Sequence, residues 1–270
     1  MFSLFFYLTI FLIGLAIGSF LNCLIYRLEK NESFFKGRSS CPNCGQILSW
    51  SDLIPLFSFL ILKGKCRYCQ QKISFQYPLV EISTGILFLL ILMTFFTMVN
   101  FVTIFFYLFI ICFLIIIFVY DLKHYIIPDK IIYPAIAIAF LYQLFRILKI
   151  ENWNLFGIWN LEFGILKPIL SAILASVFFL IIVLISGGKW MGIGDIKMAF
   201  FMGLFLGFPN ILVALFLAFL IGAIMGVGLI ISGKKTLKSE VPFGPFLVTG
   251  TFIAMFWGNN LINWYLNLFW

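Results

Sequence analysis

Long apolar runs alternate with short polar stretches along this chain. A transmembrane helix needs about 20 apolar residues. Eight runs approach that length: 2–26, 79–99, 101–119, 131–148, 168–186, 194–207, 211–232 and 245–265. The pattern predicts an all-α polytopic membrane protein of about eight transmembrane helices. The sixth run is short and opens on an irregular polar stretch, Gly192-Ile193-Gly194-Asp195. Non-helical backbone at membrane depth is tolerated where it is packed in protein or lines a wet cavity. The first run is long enough to span and lacks a basic lead-in, so a cleavable signal peptide is not expected there. No repeat of solenoid length is evident.

The distribution of bases orients these spans. Segments 27–78, 120–130, 187–197 and 233–244 fall on one side. They hold Arg27, Lys30, Lys36, Arg38, Lys63, Lys65, Arg67, Lys72, Lys123, Lys130, Lys189, Lys197, Lys234, Lys235 and Lys238, against Arg146, Lys149 and Lys167 on the other. Fifteen bases against three mark the first side as cytoplasmic and put both termini outside.

Composition narrows the class further. Of 270 residues, 63% are hydrophobic and only 10% charged, where a soluble domain has roughly 25% charged. So much apolar surface cannot be hidden from water in a soluble fold, which excludes a soluble enzyme, a secreted domain and a disordered chain. The net charge of +8 reads as topology and affinity for anionic lipid, with no nucleic acid as partner.

Segment 27–78 is the one stretch able to form a small separate domain, and a fold of this size needs a staple. It carries Cys41-Pro42-Asn43-Cys44 and Cys66-Arg67-Tyr68-Cys69, separated by 21 residues. Two C-x-x-C turns at this spacing fit a tetrahedral zinc site with Cys41, Cys44, Cys66 and Cys69 as ligands. With all four positions filled by protein, such a zinc is structural. A thiol redox pair and unligated cysteines are the alternatives, while a reducing cytoplasm argues against disulfides. Cys23 and Cys112 sit singly in apolar runs, as structural thiols do.

Two carboxylates interrupt the membrane pattern. Asp121 closes the third span and Asp195 opens the sixth, both at the cytoplasmic face in this topology. Carboxylates beside hydrocarbon are costly and mark function. Two aspartates brought close share one proton: the ionised one takes a proton from water, and the protonated one donates a hydrogen bond to a carbonyl. Taken singly, each also fits an interfacial residue at a helix end, with Lys123 or Lys197 two positions on. Asp129, after Pro128, reads as a helix cap. His124, the one histidine, reads as a surface residue. A transporter or channel using intramembrane aspartates is the competing class. A non-catalytic anchor displaying a zinc module is a third.

The order of short motifs resembles the prepilin peptidases, membrane aspartic proteases with a G-x-G-D motif. The resemblance runs through Gly18-Ser19-Phe20-Leu21-Asn22, Tyr26-Arg27-Leu28, Arg38-Ser39-Ser40, Ile54-Pro55-Leu56, Gly64-Lys65-Cys66-Arg67-Tyr68-Cys69, Ile73-Ser74, Tyr77-Pro78-Leu79-Val80-Glu81, the Asp121 segment ending Ile127-Pro128-Asp129, Gly192-Ile193-Gly194-Asp195-Ile196-Lys197, and Pro242-Phe243-Gly244-Pro245. It implies Asp121 and Asp195 as the catalytic pair. It also implies cleavage, after a Gly, of the basic leader from type IV prepilins and pilin-like subunits at the cytoplasmic side of the bacterial inner membrane. The cysteine loop accompanies members that also methylate the new N-terminus from S-adenosylmethionine, though no Gly-rich donor motif is visible. The implied organisation is a first span at 1–26, a zinc-binding loop domain at 27–78 and a transmembrane peptidase domain at 79–270.

Overall fold

The structure, a computed structural model, describes residues 4–34, 37–96, 99–148, 157–233, 236 and 241–268, with the backbone alone for 147–148 and 157–165. Of the bases used above to orient the spans, Lys36, Lys149, Lys234, Lys235 and Lys238 lie outside the described residues. The described chain is helical: α1 (Leu4–Glu29), α2 (Phe57–Ile61), α3 (Gln76–Phe95), α4 (Phe101–His124), α5 (Asp129–Leu148), α6 (Gly157–Ser186), α7 (Ile193–Leu206), α8 (Asn210–Ile231) and α9 (Gly244–Leu266), with a 3-10 turn at Trp50–Leu53. Pairing of β type among the described residues is limited to two isolated bridges, Ser40 with Ile47 and Lys65 with Lys72.

Five described helices are long and apolar enough to cross a membrane: α1, α3, α4, α6 over Leu166–Ser186, and α8. The chain is therefore a multi-pass membrane protein. The other three expected spans coincide with α5, α7 and α9, which are not among the five. The 14 residues of α7 reach about 21 Å, short of the roughly 30 Å hydrocarbon layer. In α9, Gly250, Thr251, Gly258, Asn259 and Asn260 dilute the apolar run, and α5 begins on Asp129 and Lys130 and carries Gln143 and Arg146.

The chain forms two compact units, Met1–Ile116 and Ile117–Trp270. In the first, α1 and α3 meet through glycines. A Cβ on Gly14 would stand 2.6 Å from the Gly85 Cα, and one on Gly18 would stand 2.7 Å from the Glu81 Cα. Van der Waals packing at such small-residue contacts replaces the hydrophobic drive that lipid cannot supply. Polar groups then join α1 to the first turn of α3 and to the loop between the two helices. The Asn22 Nδ2 donates to the Tyr77 carbonyl at 3.0 Å. Buried Arg27 donates to the Phe34 and Gly37 carbonyls at 2.6 and 2.7 Å.

In the second unit α7 is the core element, packed against α5, α6, α8 and α9. Met198, Ala199, Phe201, Met202 and Leu204 are essentially inaccessible to solvent, as a helix apolar on all sides requires. A Cβ on Gly203 would lie 2.5 Å from the Ala172 Cα, so α6 and α7 approach at backbone distance. A helix ending inside a bundle must satisfy its last carbonyls. Buried Gln143 of α5 does so, donating from Nε2 to the Leu204 carbonyl at 2.8 Å.

Candidate functional site

Asp195 occupies the first turn of α7. Its Oδ2 accepts the Gly192 N–H at 3.1 Å, closing the cap at the helix start. Gly192 is extended and Gly194 faces Ile127, where an added Cβ would come within 3.1 Å of the Ile127 Cβ. The G-x-G-D glycines therefore serve cap geometry and close approach to the α4–α5 turn. Asp121 lies in the last turn of α4. Its Oδ2 accepts the N–H of Gly244, the first residue of α9, at 3.0 Å. Both aspartates are buried, at 4% exposure for Asp121 and 9% for Asp195. Two buried carboxylates from separate helices thus lie in one compact unit, each held by a backbone N–H.

Gly244 is the element that the sequence reading quoted without a role. Its missing Cβ would fall 2.5 Å from the Asp121 Oδ2, so only glycine lets α9 present its first N–H to that carboxylate. Gly244→Ala is expected to displace the Asp121 carboxyl and lose that hydrogen bond. A buried, charge-assisted bond is worth about 1.5–3 kcal/mol, so any activity that depends on that carboxylate should fall roughly 10- to 100-fold. Rate assays beside thermal unfolding check it, since a variant that unfolds early would report packing and not the carboxylate.

The lysine two positions after Asp195 pairs away from that aspartate. Lys197 reaches Asp129, the first residue of α5, with Nζ–Oδ1 at 2.6 Å, and lies over the Tyr133 ring at 4.9 Å. Asp129 is 61% exposed, and exposed pairs of this kind contribute about 0–1 kcal/mol. Asp129→Asn should therefore keep that same activity within about tenfold of the parent. A loss as deep as that of an Asp121 variant would move Asp129 into the chemistry. His124 packs against the Tyr120 ring at a tilt of 40°, centroids 4.5 Å apart.

The four cysteines expected to hold a metal converge in the first unit. The Sγ atoms of Cys41, Cys44, Cys66 and Cys69 all lie within 4.8 Å of one another, and Cys41 and Cys66 are buried. The Cys41 and Cys69 sulfurs are 4.0 Å apart. Tetrahedral zinc with Zn–S near 2.3 Å sets sulfurs about 3.8 Å apart, so the cluster has the right size. The two knuckles repeat one backbone design. Cys41 N–H donates to the Gln46 carbonyl and Gly45 N–H to the Cys41 carbonyl, both at 2.9 Å. Cys66 N–H donates to the Gln71 carbonyl at 2.9 Å and Gln70 N–H to the Cys66 carbonyl at 3.0 Å. Gly45 and Gln70 hold the same left-handed position, at φ +70° and +58°.

A backbone hydrogen bond at Gln71 pulls the Cys69 thiol down, but desolvation and hydrogen bonds with Cys66, Cys44 and Cys41 push it up to about 11. Thiols this crowded resist ionising together, and a dication supplies the opposing charge. Against the second knuckle sits Asp52. Burial pushes its carboxyl up, but hydrogen bonds from Ser49 and the Arg67 charge outweigh that and hold it below the usual carboxylate range.

Fold and site define a multi-pass helical membrane protein with two buried aspartates in one compact unit and a four-thiol cluster in the other. Residues 12–95 match the bacterial peptidase A24 N-terminal domain and residues 108–227 the type IV leader peptidase family. The prepilin leader peptidase/N-methyltransferase of Aeromonas hydrophila is 31% identical over 284 residues, covering 96% of this chain and 93% of that protein. Those of Bacillus subtilis and Pseudomonas aeruginosa are each 31% identical as well. The first spans 96% of this chain and 97% of its own length, and the second 97% and 93%. The chain belongs to the type IV leader peptidase family and is an enzyme of the prepilin peptidase class. No solved structure matches it.

Proposed function

We propose that this chain is a membrane-embedded aspartic endopeptidase in which Asp121 and Asp195 form the catalytic pair. It removes the basic leader from type IV prepilins and pilin-like subunits, cutting after a Gly at the cytoplasmic face of the bacterial inner membrane. The observation that carries this reading is two buried carboxylates, on α4 and α7, each fixed by a glycine N–H. Like charges in a poorly solvated site favour one shared proton. The ionised aspartate takes a proton from water as that water attacks the scissile carbonyl. The protonated aspartate keeps its proton and donates a hydrogen bond to the carbonyl oxygen as negative charge develops there. The proton taken from water then passes to the leaving amine, leaving the pair ready for another cycle.

Cys41, Cys44, Cys66 and Cys69 hold one zinc ion that folds the 27–78 loop and takes no part in hydrolysis. The new N-terminus is then methylated from S-adenosylmethionine, a step supported by the names of the relatives and by the presence of the cysteine loop. Membrane lipid and the prepilin helix are the partners, and the helix enters sideways within the bilayer.

Purified enzyme in vesicles, incubated with a prepilin and followed by mass spectrometry, tests both activities. The substrate should lose the mass of its leader, and gain a methyl increment only when S-adenosylmethionine is present. An intact prepilin would refute the peptidase reading. Cleavage without the increment would refute the methyl transfer alone.

A further inference from the structure

The stretch from Ser49 to Ile61 is built with its polar groups inward and its apolar groups outward. Asp52 is enclosed, its side chain 4% exposed. Its Oδ2 accepts from Ser49 N at 3.1 Å, Ser49 Oγ at 2.7 Å and Tyr68 Oη at 3.3 Å, and its Oδ1 pairs with Arg67 Nε at 2.8 Å. Two residues away Trp50 is 80% exposed, and on α2 Phe57, Leu60 and Ile61 are 58%, 70% and 75% exposed. Water would drive the opposite arrangement.

The height of this stretch is set by a buried carboxylate. Glu81, the sixth residue of α3, accepts the Leu56 N–H on Oε2 at 2.9 Å and hydrogen-bonds Ser19 of α1. Five residues of helix rise about 8 Å, so Leu56 is held alongside the first turns of a membrane-spanning helix. Leu56 itself takes a left-handed φ of +60°, which turns the chain into α2 there. The Phe59 ring lies 5.7 Å from Phe75, just before α3. Phe75, Leu79, Ile82 and Ile86 are all exposed at helical spacing. The outward apolar surface of α2 therefore continues into the stripe that α3 turns to lipid. Lys63, Lys65 and Lys72 follow, all exposed.

We propose that the Trp50–Ile61 stretch is an in-plane membrane anchor. Trp50, Phe57, Leu60 and Ile61 enter the leaflet beside the start of α3, and Lys63, Lys65 and Lys72 lie among anionic headgroups. Aromatic and aliphatic groups at the headgroup–acyl boundary, with bases behind them, bind anionic bilayers by this combination. The anchor fixes the cysteine knuckles at one height above the membrane. A second copy of the chain and a peptide partner are the other possible occupants, and the test separates them.

The full-length enzyme is reconstituted in phosphatidylethanolamine vesicles containing phosphatidylglycerol brominated at shallow or deep acyl positions. Subtracting the emission of Trp50→Phe from that of the parent isolates Trp50. Shallow bromines should lower that difference signal about twofold and deep ones less, as expected for burial of about 5–10 Å. Ile61→Trp in the Trp50→Phe background supplies a second reporter with the same expected order. Quenching by aqueous iodide with none by brominated lipid would overturn the proposal. So would protection from iodide that requires added prepilin, or that rises with protein density. Equal quenching by brominated phosphatidylcholine and phosphatidylglycerol would overturn the headgroup part. No peptidase activity is needed for the readout, so its outcome is independent of the assignment of Asp121 and Asp195.

Discussion

Asp121→Asn and Asp195→Asn should each lower leader cleavage by at least about a hundredfold, the lower end of what a positioned acid or base contributes. Asn preserves volume and can still accept the glycine N–H through its amide oxygen, at Gly244 for the first variant and Gly192 for the second. It cannot take a proton from water. It also removes a charge from the pair, so the remaining aspartate titrates as an isolated group and the shared-proton state is lost. The double variant should be scarcely worse than either single one, because groups acting as a unit are not additive. Both variants should insert and purify as the parent does, since neither creates a cavity or a clash. Cleavage assays with initial rates, beside a thermal unfolding comparison, check this. Near-parental turnover by either variant removes that residue from the mechanism.

Loss of metal should be the other large effect. Purified, freshly reduced enzyme should contain one zinc per chain, and Cys41→Ser or Cys66→Ser should bring that close to none. Segment 27–78 has little apolar core, with Trp50, Phe57, Leu60 and Ile61 all turned outward, so its knuckles depend on the ion for their fold. Structural zinc in small peptides contributes about 10–16 kcal/mol, far more than the few bridges and hydrogen bonds around the cysteines can replace. Limited proteolysis should therefore cut 37–75 much faster in the variants or after chelation. Leader cleavage should fall less than methyl transfer, because Asp121 and Asp195 belong to the other compact unit. Metal analysis that finds no zinc in reduced protein would overturn the assignment.

The helices and the candidate site differ in how far they could be read from the chain. The apolar runs located the long helices among the described residues, because hydrocarbon forces continuous backbone hydrogen bonding within a span, although α6 begins at Gly157, well ahead of the run read from 168. The paired C-x-x-C spacing located the four thiols, because a knuckle is a local turn that brings its two sulfurs together whatever surrounds it. Asp121 and Asp195 were visible as charges that a membrane helix does not carry without cause.

Long-range contacts were decided elsewhere. Nothing local in Pro242-Phe243-Gly244-Pro245 says that its glycine N–H meets Asp121, a partner 123 residues away in sequence. The alternative reading of Asp195 as a helix-end residue with Lys197 two positions on did not foresee that Lys197 turns to Asp129, across α5 and α7. Side chains two apart on a helix do not face each other, so a partner from another helix takes the charge. Gln143 closing the end of α7 and Glu81 holding Leu56 follow the same rule. Sequence by itself determined where the chain must be helical and where it can hold metal, since these depend on local spacing and on the solvent. Tertiary structure alone decided which backbone N–H each buried carboxylate receives, since a carboxylate removed from water takes whatever donor the packed helices bring to it.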